Sequence, residues 1–287
     1  MSESNLPSSA RAIVVGGGVI GCSTAYHLAK LGWKEIVLLE RKQLTSGTTW
    51  HAAGLVTTLR DTESQTKLAQ YSLDLYKDLE RETGQSTGFI KCGSIQLATS
   101  EAKQEEMRRG CAMARSFGVS NSEISPKEVK ELFPLAYVDD LKCGFYFPDD
   151  GRVNPADVTQ ALAKGAKKMG VKILENLPVI DLIVENGKAR GVKTLEGSIK
   201  AEVVVLCPGM WGYEMGNKIG VNIPLKAAEH YYLISEPIPE VHNKLPILRD
   251  PGRCAYAREE AGKILLGFFE PNAAPWSANG IPENFCF

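Results

Sequence analysis

Two short runs that are apolar throughout lie near the start of the chain. Residues 12–15 (Ala-Ile-Val-Val) form one such block and residues 36–39 (Ile-Val-Leu-Leu) a second. Neither alternates with polar positions, which is the pattern of strands buried on both faces of a parallel sheet. Between them, residues 22–31 have helical character, and Gly32 sits where a helix would stop. Within 61–82, Leu68, Tyr71, Leu75 and Leu79 recur every three or four positions, which predicts a long amphipathic helix. A strand is predicted over 93–99, helices over 101–117 and 126–133, and a strand over 144–147. Ser125 with Pro126 behind it introduces the second of those helices. Asn154 and Pro155 start another helix, running to residue 169.

Four short strands are then predicted over 171–174, 179–184, 189–194 and 198–206, with turns at Asn186-Gly187 and Glu196-Gly197. A helix over 211–219 and strands over 231–235, 254–258 and 264–268 complete the pattern. This is not one continuous βα alternation. A βαβ unit opens the chain, helices and strands are inserted, and strand-rich sequence returns late. That order predicts an α/β (α+β) fold of two interleaved lobes: one over roughly 10–90 and 145–225, the other over roughly 91–144 and 226–287.

Composition narrows the classes. Of 287 residues, 44% are hydrophobic and 23% charged, an ordinary globular balance. The net charge is −1 and no basic tract occurs, so nucleic acid is not an expected partner. No apolar run reaches the ~18 residues needed to span a bilayer, so no membrane association is expected. The start of the chain, through Arg11, is short and polar and lacks the apolar core of a secretory signal. The expected location is the cytoplasm in a bacterium or the mitochondrial matrix in a eukaryote. The seven cysteines are odd in number and widely spaced, which predicts reduced thiols rather than a disulfide framework or a metal site. The apolar ending, Asn284 to Phe287, suggests a chain cut from something longer.

The chemistry begins at Gly16, Gly18 and Gly21. G-x-G-x-x-G directly after a strand and opening a helix is a dinucleotide fingerprint. The first glycine permits the tight turn, the second admits the pyrophosphate, and the third lets helix and strand pack closely. Val19 and Ile20 open the helix whose N-terminus would face the phosphates. Glu40 ends the second strand, where a carboxylate accepts hydrogen bonds from ribose hydroxyls, and Arg41 follows it. The turn alone does not decide between FAD and NAD. A strand ending at Cys207-Pro-Gly209, followed by Trp211, argues for FAD, because it would return the chain to the dinucleotide sheet. Val179 is a further candidate contact.

Thr45, Ser46, Gly47, Thr48 and Thr49 lead into Trp50 and His51. A loop of hydroxyls and small residues suits close contact with a cofactor, and a histidine within it is a candidate flavin contact. At this point the sequence resembles the sarcosine and dimethylglycine dehydrogenases, within the D-amino-acid-oxidase-like flavoproteins. The matching stretches are 15–21, 38–41, 44–55, 82–84, 93–98 and 133–135, then Asp150-Gly151 with Asn154-Pro155, and His230-Tyr-Tyr232. The most specific is Leu-Thr-Ser-Gly-Thr-Thr-Trp-His-Ala-Ala-Gly-Leu, residues 44–55.

The resemblance implies a Rossmann-like FAD-binding lobe interleaved with a β-rich substrate lobe. It implies covalent attachment of the flavin through His51, and oxidation of an N-methylglycine by hydride transfer to that flavin. It implies an electron-transferring flavoprotein as partner, and tetrahydrofolate where a C-terminal folate domain exists. Members of the family continue well past residue 287, with a further flavin-contacting segment and often that folate domain. Two other functions share the pattern: a flavin amine oxidase using O₂, and a non-catalytic regulatory subunit like that of pyruvate dehydrogenase phosphatase.

A small N-methyl amino acid needs a cation for its carboxylate and an aromatic wall around its amine. His230, Tyr232, Tyr256 and Arg258 are the candidates, the last two sharing one face of a strand at period two. Arg60 is a weaker cation candidate. The acidic pairs Asp139-Asp140 and Asp149-Asp150 read as solvated turn carboxylates, and no metal site is expected.

Overall fold

The computed structural model describes residues 6–277, 280–282 and 285. The first five residues and Asn284, Cys286 and Phe287, on which the readings of the two chain ends partly rested, lie outside the described residues. The elements run β1 (Ser9–Val15), α1 (Val19–Lys30), β2 (Ile36–Leu39), β3 (Leu55–Val56), α2 (Glu63–Thr83), β4 (Ser94–Ala98) and α3 (Glu101–Ser116). Next come β5 (Ser122–Ile124), α4 (Pro126–Leu132), β6 (Cys143–Phe147), β7 (Gly151–Arg152), α5 (Pro155–Lys168) and β8 (Lys172–Leu174). The remainder is β9 (Val179–Glu185), β10 (Lys188–Thr194), β11 (Gly197–Leu206), α6 (Gly212–Lys218), β12 (Tyr232–Ile234), β13 (Ile247–Asp250), β14 (Ala255–Glu260) and β15 (Lys263–Phe268).

The apolar blocks form the centre of a six-stranded sheet of order β8-β2-β1-β11-β10-β9. β1 is parallel to both β2 and β11, and β2 to β8. Ala12, Ile13 and Val14 are fully buried, as a strand covered on both faces requires. On one face, α1 and α5 pack Tyr26, Ala25, Leu162 and Ala166 against it, with Leu79 of α2 behind them. On the other, Leu182, Val192 and Ile199 of the β9–β11 meander cover Ile13 and Val37. The chain winds outward from β1 through β2 to β8, then crosses back to place β11 on the far side of β1. Such a reversal opens a crevice at the carboxyl ends of the two central strands.

Local chemistry sets the boundaries of the elements. The Ser125 hydroxyl accepts from the Glu128 amide at 3.3 Å, and the Glu128 carboxylate accepts from the Ser125 amide at 2.7 Å, a capping box. The Asn154 side chain accepts from Ala156 and Asp157 and starts α5. Asn186 and Gly187 take φ of 52° and 73°, the left-handed pair that a tight β9–β10 hairpin needs.

The second sheet has seven strands, β12-β15-β14-β13-β4-β6-β5. Two distant stretches of chain meet within it, where β13 lies parallel to β4 with Leu248 opposite Ile95. β13 was not expected: its four residues, Ile-Leu-Arg-Asp, are too few and too charged to show an alternation. The short strands β3, β5 and β7 were not expected either. β6 runs to Phe147, so this sheet extends past the lobe boundary expected at 144/145.

The β3–β7 ribbon sits between the two sheets. Its Arg152 is ion-paired with Glu259 of β14, the two side chains being only 11% and 5% exposed. Removing one partner of such a pair strands the other charge out of water. Glu259→Ala should therefore destabilise the fold by about 3–5 kcal/mol in urea unfolding followed by tryptophan fluorescence. Arg152→Met with Glu259→Leu should lose clearly less; an equal loss in both would show that the pair is not what holds the ribbon.

Candidate functional site

A cavity of about 510 Å³ occupies the crevice between β1 and β11, a size typical of a small-molecule site. Its floor is glycine for a steric reason. Gly16 ends β1 with φ +112°, and a Cβ there would run into the carbonyl of Cys207. A Cβ on Gly21 would strike the Gly16 carbonyl. These two glycines let α1, β1 and the end of β11 approach backbone to backbone. The Cys207 amide completes the contact by donating to the Val15 carbonyl at 2.8 Å.

The polar groups follow from that floor. Gly18 caps α1 without a side chain, and Thr49 Oγ1 accepts from the Val19 amide at 3.1 Å, tying the hydroxyl loop to the helix N-terminus. The Glu40 carboxylate accepts from the Gly17 amide at 2.7 Å and from the Lys42 amide at 2.9 Å. Both of its oxygens are thereby aimed, each with further lone pairs for a diol. The Arg41 guanidinium lies 4.1 Å from the centroid of the Trp211 ring.

The residues expected to bind the nucleotide converge. Gly16, Gly18, Val19, Ile20, Glu40, Arg41, Ser46, Gly47, Thr48, Thr49, Val179, Cys207, Gly209 and Trp211 all line the cavity. Four do not. Gly21 supports the wall from behind, and Thr45, at φ +74°, donates its amide to the Gly17 carbonyl at 3.1 Å. Trp50 and His51 lie outside the cavity lining, their rings 4.8 Å apart. Pro178, Met215, Lys218, Ile223 and Leu225 line it as well. They carried no motif, although the segment after Cys207-Pro-Gly209 was bound to pass this crevice. A helix N-terminus, a ribose-reading carboxylate, a row of hydroxyls and an apolar far wall together fit the adenosine diphosphate portion of FAD.

The substrate-side candidates lie on the seven-stranded sheet. Strand register puts Tyr232, Gly267, Tyr256 and Arg249 in one row across β12, β15, β14 and β13. A Cβ at Gly267 would overlap the Tyr256 ring, so that ring lies over the glycine. Phe269 packs against Tyr256 at 5.1 Å and meets His230 edge-on at 5.5 Å. His230 Nδ1 is 3.2 Å from the Glu270 carboxylate. His230, Tyr232 and Tyr256 are thus gathered around one aromatic patch, and burial pushes the Tyr256 phenol above its ordinary pKa.

Two expectations are corrected. Arg258 is not an available cation. It is 4% exposed, and its guanidinium donates to the Ala53 carbonyl at 2.5 Å and the Glu259 carbonyl at 2.7 Å, with the Glu260 carboxylate at 2.5 Å. Its task is to hold the loop that follows His51 against the sheet. Asp150 is not a solvated turn carboxylate. It is 1% exposed and accepts from the Thr58 amide and hydroxyl at 2.8 and 2.7 Å and from the Ser94 hydroxyl at 2.6 Å. Burial nevertheless pushes its pKa upward. Its neighbour Asp149 does sit at the surface, 2.6 Å from Lys91. Arg249, which no sequence signal marked, shares the face of Tyr256 and Arg258 and lies near Arg60 and Asp150.

The model of the DAO family, FAD dependent oxidoreductase, matches residues 11–285. The chain belongs to this family. It is 40% identical over 99% of its length to 4-methylaminobutanoate oxidase (formaldehyde-forming) of Paenarthrobacter nicotinovorans, covering 34% of that protein. It is 40% identical over 96% of its length to the mitochondrial pyruvate dehydrogenase phosphatase regulatory subunit of Mus musculus, covering 32% of it. To the mitochondrial dimethylglycine dehydrogenase of Rattus norvegicus it is 39% identical over 96%, covering 33%. The chain therefore spans about a third of the length of these relatives. Among solved structures, L-proline dehydrogenase from P. horikoshii superposes with a TM-score of 0.86 at 28% identity, over 92% of this chain and 71% of that one. The D-amino-acid-oxidase-like fold expected from the sequence is the fold observed.

In a DAO-family chain built this way, Glu40 should carry a measurable share of nucleotide affinity. Glu40→Gln removes the negative charge that would accept from the ribose hydroxyls and should lower ADP affinity by about tenfold. Titration calorimetry reads this directly, and an unchanged affinity would remove Glu40 from the site.

Proposed function

We propose that this chain carries the FAD-dependent oxidation of an N-methyl amino acid, dimethylglycine or sarcosine, with the flavin attached covalently through His51. The observation that supports this reading most is the anchoring of one loop at both ends. Thr49 is bonded to the amide that opens α1, and Ala53 is bonded to Arg258 of the aromatic sheet. His51 lies between these two anchors along the chain.

FAD, when bound, supplies the acceptor for the hydride leaving the N-methyl carbon. The remaining work belongs to side chains of this chain. Burial lowers the pKa of His51 below its ordinary value, so its imidazole is neutral and nucleophilic near pH 7. Tyr232, Tyr256 and Phe269 form an aromatic wall suited to a methylated amine. His230, held by Glu270, is the candidate to take the amine proton before hydride leaves. Electrons would pass on to an electron-transferring flavoprotein, and tetrahydrofolate would enter only with a folate domain of the kind the family's longer members carry.

A second reading, a non-catalytic regulatory subunit, draws on the 40% identity to the phosphatase regulatory subunit. Flavin chemistry separates the two. The purified protein should stay yellow after acid precipitation and be bleached anaerobically by dimethylglycine or sarcosine. Loss of all colour on precipitation, with no bleaching, would favour the regulatory subunit. Substantial peroxide during aerobic turnover would instead favour an oxidase.

His51→Ala should abolish the acid-stable flavin while leaving ADP affinity unchanged. Because the pKa of His51 is lowered, its neutral form persists below pH 6.5. Flavin attachment measured from apoprotein and FAD should therefore hold its rate to pH values where an ordinary histidine is already protonated. A rate that halves at or above pH 6.5 would contradict a half-buried His51 held neutral.

A further inference from the structure

The segment that carries His51 is fastened on both sides. Before it, Thr49 Oγ1 accepts from the Val19 amide at the start of α1. After it, the Gly54 carbonyl accepts from the Val153 amide at 2.9 Å, β3 pairs with β7, and Asp150 holds the amide and hydroxyl of Thr58. Within the segment, the Ala52 amide donates to the Thr49 carbonyl at 3.2 Å and closes a turn. The Ala53 carbonyl accepts from Arg258 Nε at 2.5 Å. That last bond joins the segment to the seven-stranded sheet two residues from His51.

Arg258 is placed to hold this carbonyl in one position. It is buried on β14, its Nη1 donates to the Glu259 carbonyl at 2.7 Å, and its Nη2 lies 2.5 Å from the Glu260 carboxylate. A guanidinium is planar and rigid, so two fixed nitrogens fix the direction in which the third donates. The arrangement differs from the Arg152–Glu259 pair, in which both charges are buried. The Glu260 side chain is partly exposed. Removing Arg258 therefore leaves its carboxylate within reach of water, and no buried charge is stranded. The bonds at Gly54, along β3 and at Thr58 do not involve Arg258 and survive its loss.

We propose that Arg258 is a positioning residue for the attachment of flavin at His51: through the Ala53 carbonyl it sets where the imidazole stands, and so how fast the bond forms. This inference rests on the reading that His51 carries the flavin. In the attachment step the imidazole loses its N–H hydrogen and a ring methyl group of the flavin loses one C–H hydrogen. A C–N bond forms between them. Two electrons and two protons are left on the flavin ring, and dioxygen removes them as peroxide. Arg258 takes no part in these transfers. Its contribution is placement, and a displacement of about 1 Å between reacting groups can cost about a hundredfold in rate.

The test follows attachment in purified apoprotein mixed with FAD in air, reading acid-stable flavin against time at several FAD concentrations. In Arg258→Met the limiting rate should fall by about ten- to a hundredfold. The FAD concentration that gives half of the limiting rate should stay that of the parent, and so should ADP affinity by calorimetry. Arg258→Lys keeps one charged donor for the Ala53 carbonyl but lacks the planar fork, and should recover part of the rate. A parental limiting rate in Arg258→Met would overturn the proposal; where that variant does not fold, a parental rate in Arg258→Lys does the same. So would a half-saturating FAD concentration or an ADP affinity that worsens in step with the rate, the mark of an arginine that merely holds the fold. If the parent forms no acid-stable flavin, the covalent reading of His51 falls and this inference falls with it. Attachment that proceeds in the parent and ignores Arg258 overturns this inference alone.

Discussion

The nucleotide lobe depends on three stretches of backbone meeting with no side chain between them. Gly21 faces the carbonyl of Gly16, and Gly16 faces the carbonyl of Cys207. A methyl group at either glycine would push α1 away from β1, or β1 away from the end of β11. The helix N-terminus would then no longer point into the crevice where the sheet order reverses. The Glu40 contact depends on the same closeness, because its carboxylate reaches the Gly17 amide only while β2 and the turn stay adjacent. The site is thus made first by an absence of atoms, and its polar groups are aimed by the packing that absence allows.

This explains which features were legible in the sequence. Gly16, Gly18 and Gly21 fall within one short strand-to-helix turn and Glu40 ends the next strand, and a turn so compact leaves a fixed spacing in the sequence. The same holds for the Ser125 cap, the Asn154 cap and the Asn186-Gly187 turn, each of which the structure reproduces at the expected residue. The apolar blocks at the centre of the sheet, residues 12–15 of β1 and 36–39 of β2, announce themselves because both faces are covered. β13 did not, since its place is set by β4, some 150 residues earlier in the chain, and not by its own four residues. The pairing of β3 with β7 is likewise a long-range choice between segments too short to carry a pattern.

Charged residues were the least legible, for a related reason. A sequence shows that a charge exists, but its fate depends on which atoms tertiary structure brings to it. Arg258 and Arg249 lie on neighbouring strands of one sheet face and carry the same guanidinium. Arg258 meets the Ala53 carbonyl and the Glu260 carboxylate and becomes a fastening. Arg249 meets neither a carbonyl nor a carboxylate at hydrogen-bond distance among the described residues. Asp150 looked like half of an ordinary acidic turn, and the folded chain instead surrounds it with three donors. The register of the sheet puts both arginines on one face, and their partners tell them apart.

The interleaving of the two lobes gives this difference its meaning. One loop, from Thr49 to Ala53, is fixed at its start by the nucleotide helix and at its end by the aromatic sheet. The helix that opens the nucleotide crevice and the strand that carries Tyr256 are therefore tied to one and the same loop. The buried Arg152–Glu259 pair adds a second fastening at the same boundary. Buried ion pairs add little net stability over apolar packing, but they penalise every arrangement that separates the partners. Between the β3–β7 ribbon and β14 that penalty disfavours arrangements that pull the ribbon away from the seven-stranded sheet.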